Sequence, residues 1–503
     1  MDHSLNFRTV IALALITLLG LGLRLYDISA NSLMLDEGYT LFLAKKSPGA
    51  MVRAIMADDN HPPLHYLLMR YWIKIAGRSE FALRLPSAVF GALSVLAMYA
   101  LAAAAFGSGP GLASAFILAL SRYHISLGQE ARGYSLMVLL CIISFFFFLK
   151  MQKKPDKKNI ALYVVSSVLL FYTHYYGAFA ILGQLLYGLS RYTVVPRPQK
   201  AGYAKTHALV FGLVALPCSL WLPVMMFRAG AEAPLSRFSS ILTKEIFLAF
   251  GTYAGSIPVM VVFACIALVW FFQHRRAVFA TRQGSNGASA PGLLWQKLNN
   301  SAWAIFLYWG IAMLVVPYLL SFFTVPLFTR RCAVTASIPF YILIGFFLCA
   351  IKSRPLLIVL TAGLFLACLR EDGRYFSKPV LPQWKECVQK IDAVKKEEDA
   401  LVFSPAGYKD LVFSYYSNKP PSHCFYFPAH GDAPLPHEGE ALIDTLKKYP
   451  VIYFPRVSEI LFNGALETML RGNFYLKDSL DFRNLILYTA ENPKRLRAPL
   501  KTP

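Results

Sequence analysis

Eleven apolar runs, each near the length of a bilayer-crossing helix, dominate this sequence and leave room for few other classes of fold. They fall at about 9–26, 84–105, 109–125, 132–149, 159–173, 176–191, 205–227, 247–273, 301–322, 332–351 and 354–369. A spanning helix needs about 20 apolar residues, with a range of about 17–25. The fifth and sixth runs are short and some neighbours are closely spaced, so thirteen spans is the next reading. Of the 503 residues, 56% are hydrophobic and 16% charged, against about 45–50% and about 25% in a soluble domain. A soluble enzyme, a disordered chain and a secreted disulfide scaffold are thereby excluded. The sequence predicts a polytopic α-helical membrane protein.

The net charge of +22 would suggest nucleic acid in a soluble chain, but here the positions of the charges decide otherwise. With the N-terminus inside, the loops 150–158, 191–205, 274–300 and 351–354 are cytoplasmic and rich in Lys and Arg, as topology requires. The partners expected are membrane lipids and no nucleic acid. The first run follows Arg8 and lacks a small-x-small cleavage site, so it is retained as an anchor and not read as a signal peptide. An odd number of spans puts the tail outside the cytoplasm. The tail alternates apolar runs at 400–403, 423–427 and 451–454 with helical stretches at 384–397, 407–416, 438–448 and 457–471, which predicts a small extracytoplasmic α/β domain with a partly parallel sheet. The domains are then 1–370, spanning the membrane and including a first outer loop at 27–83, and 371–503. A Gly/Ser stretch at 284–292 reads as a loop, and no phosphate-binding glycine motif occurs in the tail. Of eight cysteines, six lie in or beside apolar runs; Cys387 and Cys424 lie in the tail and could pair if it is extracytoplasmic.

The first outer loop carries the most chemistry. Asp36 and Glu37 follow Leu33-Met34-Leu35 close to the membrane exit. A carboxylate at such a place is costly unless paired or bound to a metal, so the pair is a functional candidate; acids in the first turn of a helix are the other reading. Ser47-Pro48 predicts a helix start and Gly77 a stop. Asp58, Asp59, Asn60 and His61 precede Pro62-Pro63, after which Leu64, Leu67, Leu68, Tyr71, Trp72 and Ile75 form an apolar stripe. That helix is too short and polar to span and is expected to lie in the interface, shaping a cavity for a lipid-linked substrate.

Further outer loops add polar clusters. The segment SRYHISLGQEARGYSL brings His124, Gln129, Glu130, Arg132 and Tyr134 to the surface. Glu130 could act as base or metal ligand and Arg132 could hold a phosphate, or the two could simply pair. His174 in THYYG is either structural or a ligand. Arg330 and Arg331 lie on the side where positive charge is disfavoured, and want phosphate or lipid headgroups as partners.

In order, RLYDISANSLMLDEGYT, NHPPLHYLLMRYW, SEFALRLPSAVFGALSV, SLGQEARGYSL and YTHYYG resemble the dolichyl-phosphate-mannose-protein mannosyltransferase-like superfamily, and within it the bacterial polytopic GT-C glycosyltransferases. The likeness covers about residues 9–350. It implies a polyprenyl-phosphate sugar donor, a lipid, glycan or protein acceptor, and inverting transfer on the periplasmic face of the bacterial inner membrane, in cell-envelope glycan or lipid modification. By the same resemblance Asp36 would be the catalytic carboxylate, with Glu37 and Glu130 as further acids. Substrate binding would fall to His61, Arg132, Tyr134 and either Arg330 or Arg331. A divalent metal cation is a possible cofactor, with Glu37, Glu130, His61 and His174 as candidate ligands. Met34 stands where the branch often has Trp, and Asn60-His61 where aminoarabinose transferases have Glu-Lys; the Trp-Trp-Asp-Tyr-Gly element of oligosaccharyltransferases is absent. A flippase or transporter of a lipid-linked substrate would favour ionisable groups at mid-membrane and internal repeats, and neither is visible. A glycan ligase using a lipid-linked oligosaccharide is closer in chemistry.

Overall fold

The computed structural model describes residues 6–58, 61–231, 239–279, 301–322, 327–377, 382–404, 407–419, 422–427, 438–457 and 463–493. The Gly/Ser stretch at 284–292 and the pair Asp59-Asn60 lie outside the described residues. Contacts divide the chain into two compact units: residues up to Tyr26 with Lys46–Gly77 and Ala82–Ser377, and Asp27–Lys45 with Arg78–Phe81 and the chain beyond Ser377.

The first unit is helical, and every predicted apolar run contains helix. Phe7–Leu25, Glu80–Phe106, Tyr134–Lys153, Ile257–His274 and Cys332–Cys349 are long and apolar enough to cross a bilayer, with Ser108–Ala119 and Ala304–Leu320 as shorter apolar helices. Several runs are interrupted. The third breaks into Ser108–Ala119 and Arg122–Gly128, with the Ser121 hydroxyl accepting from the His124 amide at the second start. The eighth divides into Ser239–Ala254 and Ile257–Phe279 at Gly255, whose φ of +86° suits glycine. The final helix runs from Arg354 to Ser377, beyond the boundary of 370 read from composition, because Glu371 and Asp372 continue the helix as buried residues.

The loop helices form where their caps predict. Pro48–Asp58 starts with the Ser47 hydroxyl accepting from the Ala50 amide at 3.4 Å, and Leu64–Ala76 stops at Gly77 with φ +82°. The second of these turns a face other than its apolar stripe inward. His65, Tyr66, Met69 and Ile73 are buried, while Tyr71 and Ile75 of the apolar stripe are 57% and 83% exposed. In water the stripe would turn inward; beside hydrocarbon it can face out, and the polar-tipped residues take the protein side.

The second unit carries a five-stranded sheet ordered β2-β1-β3-β5-β4, with β1 Ala400–Phe403, β2 Cys424–Tyr426, β3 Val451–Val457, β4 Tyr475–Asp481 and β5 Leu485–Glu491. β1 pairs in parallel with β2 and β3, and the β3–β5 and β5–β4 pairs are antiparallel. The hairpin β4–β5 has no counterpart in the sequence reading. β4 is a largely exposed edge strand with polar residues, and its turn uses Arg483 and Asn484 at φ +48° and +52°. Two apolar clusters, around Trp384, Leu401, Phe403 and Val412 and around Val402, Ile443, Phe454 and Leu466, pack the sheet. Cys387 is buried, Cys424 half-buried, and both are free thiols.

Part of the first outer loop belongs to this second unit. Leu35 packs on the first cluster, the Tyr416 hydroxyl accepts from the Leu33 amide at 2.7 Å, and the Ser32 hydroxyl accepts from the Lys385 amide at 3.0 Å. A Cβ at Gly38 would lie 2.3 Å from the Leu411 carbonyl oxygen, so only glycine permits this approach.

Candidate active site

Within the first unit, His61, Arg132, Tyr134, His174, Glu130 and Arg331 come together from loops far apart in sequence. Pro62-Pro63 ends the segment that carries His61 and leads into Leu64–Ala76. The Arg132 guanidinium is buried and lies 3.5 and 3.4 Å from the two ring nitrogens of His61, so it meets the ring without selecting one acceptor. It also donates to the Tyr66 hydroxyl at 3.3 Å, and the Ser87 hydroxyl donates to the Arg132 carbonyl at 3.2 Å. The His61 ring stands edge-on to His174 at 4.9 Å, and His174 lies 5.7 Å from Tyr134.

His174 is the most informative of these. The Tyr176 amide donates to its Nδ1 at 3.1 Å, so in the neutral ring the proton sits on Nε2. That Nε2 is buried and meets no hydrogen-bond partner among the described residues. Burial, then the neighbouring His61, Arg132 and Arg331, hold the His174 imidazole well below its ordinary pKa. His65 is buried in the first turn of the loop helix, and burial followed by Arg132 lowers its pKa to about 3. The positive charge of the cluster therefore resides on the arginines, and the buried imidazoles stay neutral.

The two adjacent arginines separate. Arg331 pairs with Glu130 and lies over the Tyr134 ring, 4.8 Å from its centroid. Arg330 pairs with Glu245 at 2.8 Å and donates to the Thr252 hydroxyl at 3.3 Å. The Tyr123 and Tyr253 hydroxyls donate to the Arg330 carbonyl at 3.1 and 3.3 Å and hold the backbone of the pair. Both ion pairs line a cavity of about 290 Å³ that also touches Tyr123, Ser126 and Thr329. Of the two, Arg331 is the arginine tied to the Glu130–Tyr134 segment. Glu245 was not singled out in the sequence reading; it lies just before the eighth apolar run, beside Lys244, with no motif around it.

Asp36 and Glu37 lie in the second unit, in the first turn of helix Leu35–Lys45. Glu37 is buried and its Oε2 accepts from the Met34 amide at 3.0 Å, reaching back to the residue before the helix as a capping acid does. Asp36 is half-buried. The candidate metal ligands do not form a ligand set. Among the described residues no three His, Cys, Asp or Glu converge. Glu130 is held by Arg331, His61 faces a guanidinium, and the Nδ1 of His174 is occupied by an amide.

The site lies largely within the stretch that known proteins share. A family model described as dolichyl-phosphate-mannose-protein mannosyltransferase matches residues 60–227, which include His61, Glu130, Arg132, Tyr134 and His174. The oligosaccharyltransferase AglB of Archaeoglobus fulgidus superposes with a TM-score of 0.52 at 12% identity, over 98% of this chain and 75% of that one. The fold is that of the GT-C glycosyltransferases. The arabinofuranosyltransferase AftD from Mycobacteria gives a TM-score of 0.50 at 13% identity, over 98% of this chain and 42% of that one. For the Pmt1–Pmt2 protein O-mannosyltransferase of S. cerevisiae the TM-score is 0.35 at 16% identity, over 44% of this chain, which spans 34% of that one. No curated protein matches the sequence. With the GT-C fold established, the helical unit is a multi-pass membrane domain.

Proposed function

We propose that this protein is a membrane glycosyltransferase moving a sugar from a polyprenyl-phosphate donor to an acceptor hydroxyl, in cell-envelope glycan or lipid modification. The observation that carries the reading is the buried Nε2–H of His174, a donor without an acceptor among the described residues, set beside the Arg132 and Arg331 guanidiniums. Such a cluster suits an anion with several acceptor oxygens, which a phosphate supplies. The AglB structure was obtained with a dolichol-phosphate, which supports a lipid phosphate as the ligand class.

The acceptor oxygen attacks the anomeric carbon while the bond from that carbon to the phosphate oxygen breaks. The electron pair leaves with the phosphate, and the anomeric configuration inverts. Arg331 leaves Glu130 for the phosphate at little cost, since both groups are part-exposed and such pairs contribute about 0–1 kcal/mol. Arg132 and His174 then donate to charge that grows as the phosphate departs. Asp36 is assigned as the base that takes the acceptor proton, on the strength of its place in the Leu35-Asp36-Glu37-Gly38 motif. Glu37, already capping its helix, is a positioning residue. The reaction is assigned to the periplasmic face of a bacterial inner membrane, where no sugar nucleotide is available.

The test is sugar transfer by the full-length protein in nanodiscs, from a panel of radiolabelled undecaprenyl-phosphate sugars to extracted envelope acceptors. Transfer by the wild type, reduced about 10²–10⁴-fold in Asp36→Asn, is expected for loss of a general base. Full activity in Asp36→Asn removes Asp36 from the chemistry. No transfer from any donor, together with translocation of the lipid in sealed vesicles, replaces the transferase with a flippase.

A further inference from the structure

The C-terminal halves of the first and last helices of the membrane domain, Phe7–Leu25 and Arg354–Ser377, enclose a groove of about 520 Å³. Its walls are Leu19, Leu23 and Tyr26 on one side and Leu369 and Phe376 on the other, with Asp372 buried in its lining. That volume lies within the range of about 300–1,000 Å³ common to ligand sites. Leu15, Leu18 and Leu366 on the flanking turns are exposed, as residues facing hydrocarbon are. The groove is therefore open to lipid along an apolar edge.

Asp372 is 3% exposed, and neither of its oxygens accepts a hydrogen bond among the described residues. A buried carboxylate left so carries the whole desolvation cost of its lone pairs. The nearby cations do not satisfy it. Arg24 spends its Nη atoms on the carbonyls of Gly20, Leu118 and Ala119 and acts on Asp372 only through space. Arg122 lies 3.7 Å from Glu371, which also takes Arg374 at 3.1 Å. Among the described residues, what Asp372 lacks is a donor within hydrogen-bond reach. A phosphate would be repelled by the carboxylate, whereas a sugar or glycerol hydroxyl supplies the missing O–H.

The groove is joined to the cavity of Glu130 by one side chain. The Gln129 amide donates to the Tyr26 carbonyl at 2.7 Å and the Arg24 carbonyl at 3.3 Å, and its oxygen accepts from the Tyr375 hydroxyl at 2.9 Å. Both walls are thus tied to the residue preceding Glu130.

We propose that this groove binds an amphiphile with an apolar chain and a hydroxyl-bearing headgroup that donates to Asp372, and that this amphiphile is the acceptor lipid. Its role as acceptor rests on the transferase reading; its binding does not.

Gly22 and Gly373 give a clean way to close the groove, because a Cβ at either would meet nothing within 4 Å. Full-length protein in nanodiscs would be irradiated with a monoglucosyl diacylglycerol bearing a diazirine on one acyl chain, or with a phosphatidic acid carrying the same chains. The wild type is expected to crosslink the glycolipid in the peptides covering 19–26 and 369–377, about tenfold more than the phosphatidic acid, as one charged hydrogen bond gained warrants. Gly22→Leu and Gly373→Leu should each lower that labelling, and Asp372→Leu should erase the preference between the lipids. Equal labelling by the two lipids in the wild type, or labelling unchanged in both Gly373→Leu and Asp372→Leu, overturns the proposal in favour of annular lipid. Selective labelling with no sugar transfer from any donor would sink the transferase reading and leave the groove standing; transfer without selective labelling would do the reverse.

Discussion

The membrane domain sinks carboxylates into its structure in two places and treats them differently. Around the cavity, Glu130 and Glu245 each meet an arginine of the adjacent pair, and all four groups are part-exposed. In the groove between the first and last helices, Asp372 is almost fully buried, yet both its oxygens lack a hydrogen bond among the described residues. Exposed Arg–carboxylate pairs are weak, so the arginines of the cavity can exchange partners at little cost. A buried carboxylate without a donor has nothing to exchange and everything to gain from a hydroxyl. The difference teaches that a carboxylate's role follows from whether its counterion lies within bonding distance.

That comparison can be broken most decisively at Arg331. Arg331→Ala should lower transfer about 10²–10³-fold, the usual cost of losing a donor to developing charge. Steady-state kinetics should show the loss mainly in kcat; an Arg331→Ala enzyme within a few-fold of wild type would mean that the cavity arginines only balance charge. His174→Phe keeps the ring packing and removes the Nε2–H, and is expected to weaken binding of undecaprenyl phosphate about tenfold by titration in nanodiscs, the worth of one hydrogen bond to a charged group. Unchanged binding would show that the buried donor finds water instead. Glu245→Gln should act in the opposite direction. If Glu245 competes with the ligand for Arg330, removing its charge should tighten phosphate binding by about two- to fivefold, since an exposed pair is worth at most about 1 kcal/mol. Weaker binding in that variant would assign Glu245 a direct part in holding the ligand.

The remaining effect is on stability and concerns His65. Its pKa is lowered to about 3 by burial and Arg132, while the unfolded chain titrates near 6.5. The unfolded state therefore binds the extra proton first, so stability is full above pH 6.5 and falls as the pH drops toward 3. Replacing His65 by Phe should flatten that acid limb in thermal unfolding followed between pH 7 and 4.5. A slope unchanged in His65→Phe would place the acid sensitivity elsewhere.

Much of this architecture was legible in the sequence, for identifiable reasons. Hydrocarbon imposes length and apolarity locally, so every predicted run contains helix, and the caps at Ser47 and Gly77 act within a turn of themselves. The parallel strands β1, β2 and β3 announced themselves as short apolar runs between helices. Strand β4 did not, because an edge strand has solvent on one side and need not be apolar. The stripe of Leu64–Ala76 was legible as well, but a pattern records only which residues are apolar, and the surroundings say whether apolar means protein or lipid.

The candidate site divides along the same line. Residue type alone marked Asp36, Glu37, Glu130, Arg132, His174 and the arginine pair, because charge beside an apolar run needs a compensating partner whatever the fold. The choice of Arg331 over Arg330 as the neighbour of Glu130 and Tyr134, the enlistment of Glu245, the capping duty of Glu37 and the unmatched oxygens of Asp372 were decided by tertiary structure. Each depends on which distant segment arrives within about 3–4 Å, the range over which hydrogen bonds and ion pairs act. Chain composition sets what must be compensated, and packing alone chooses the partner.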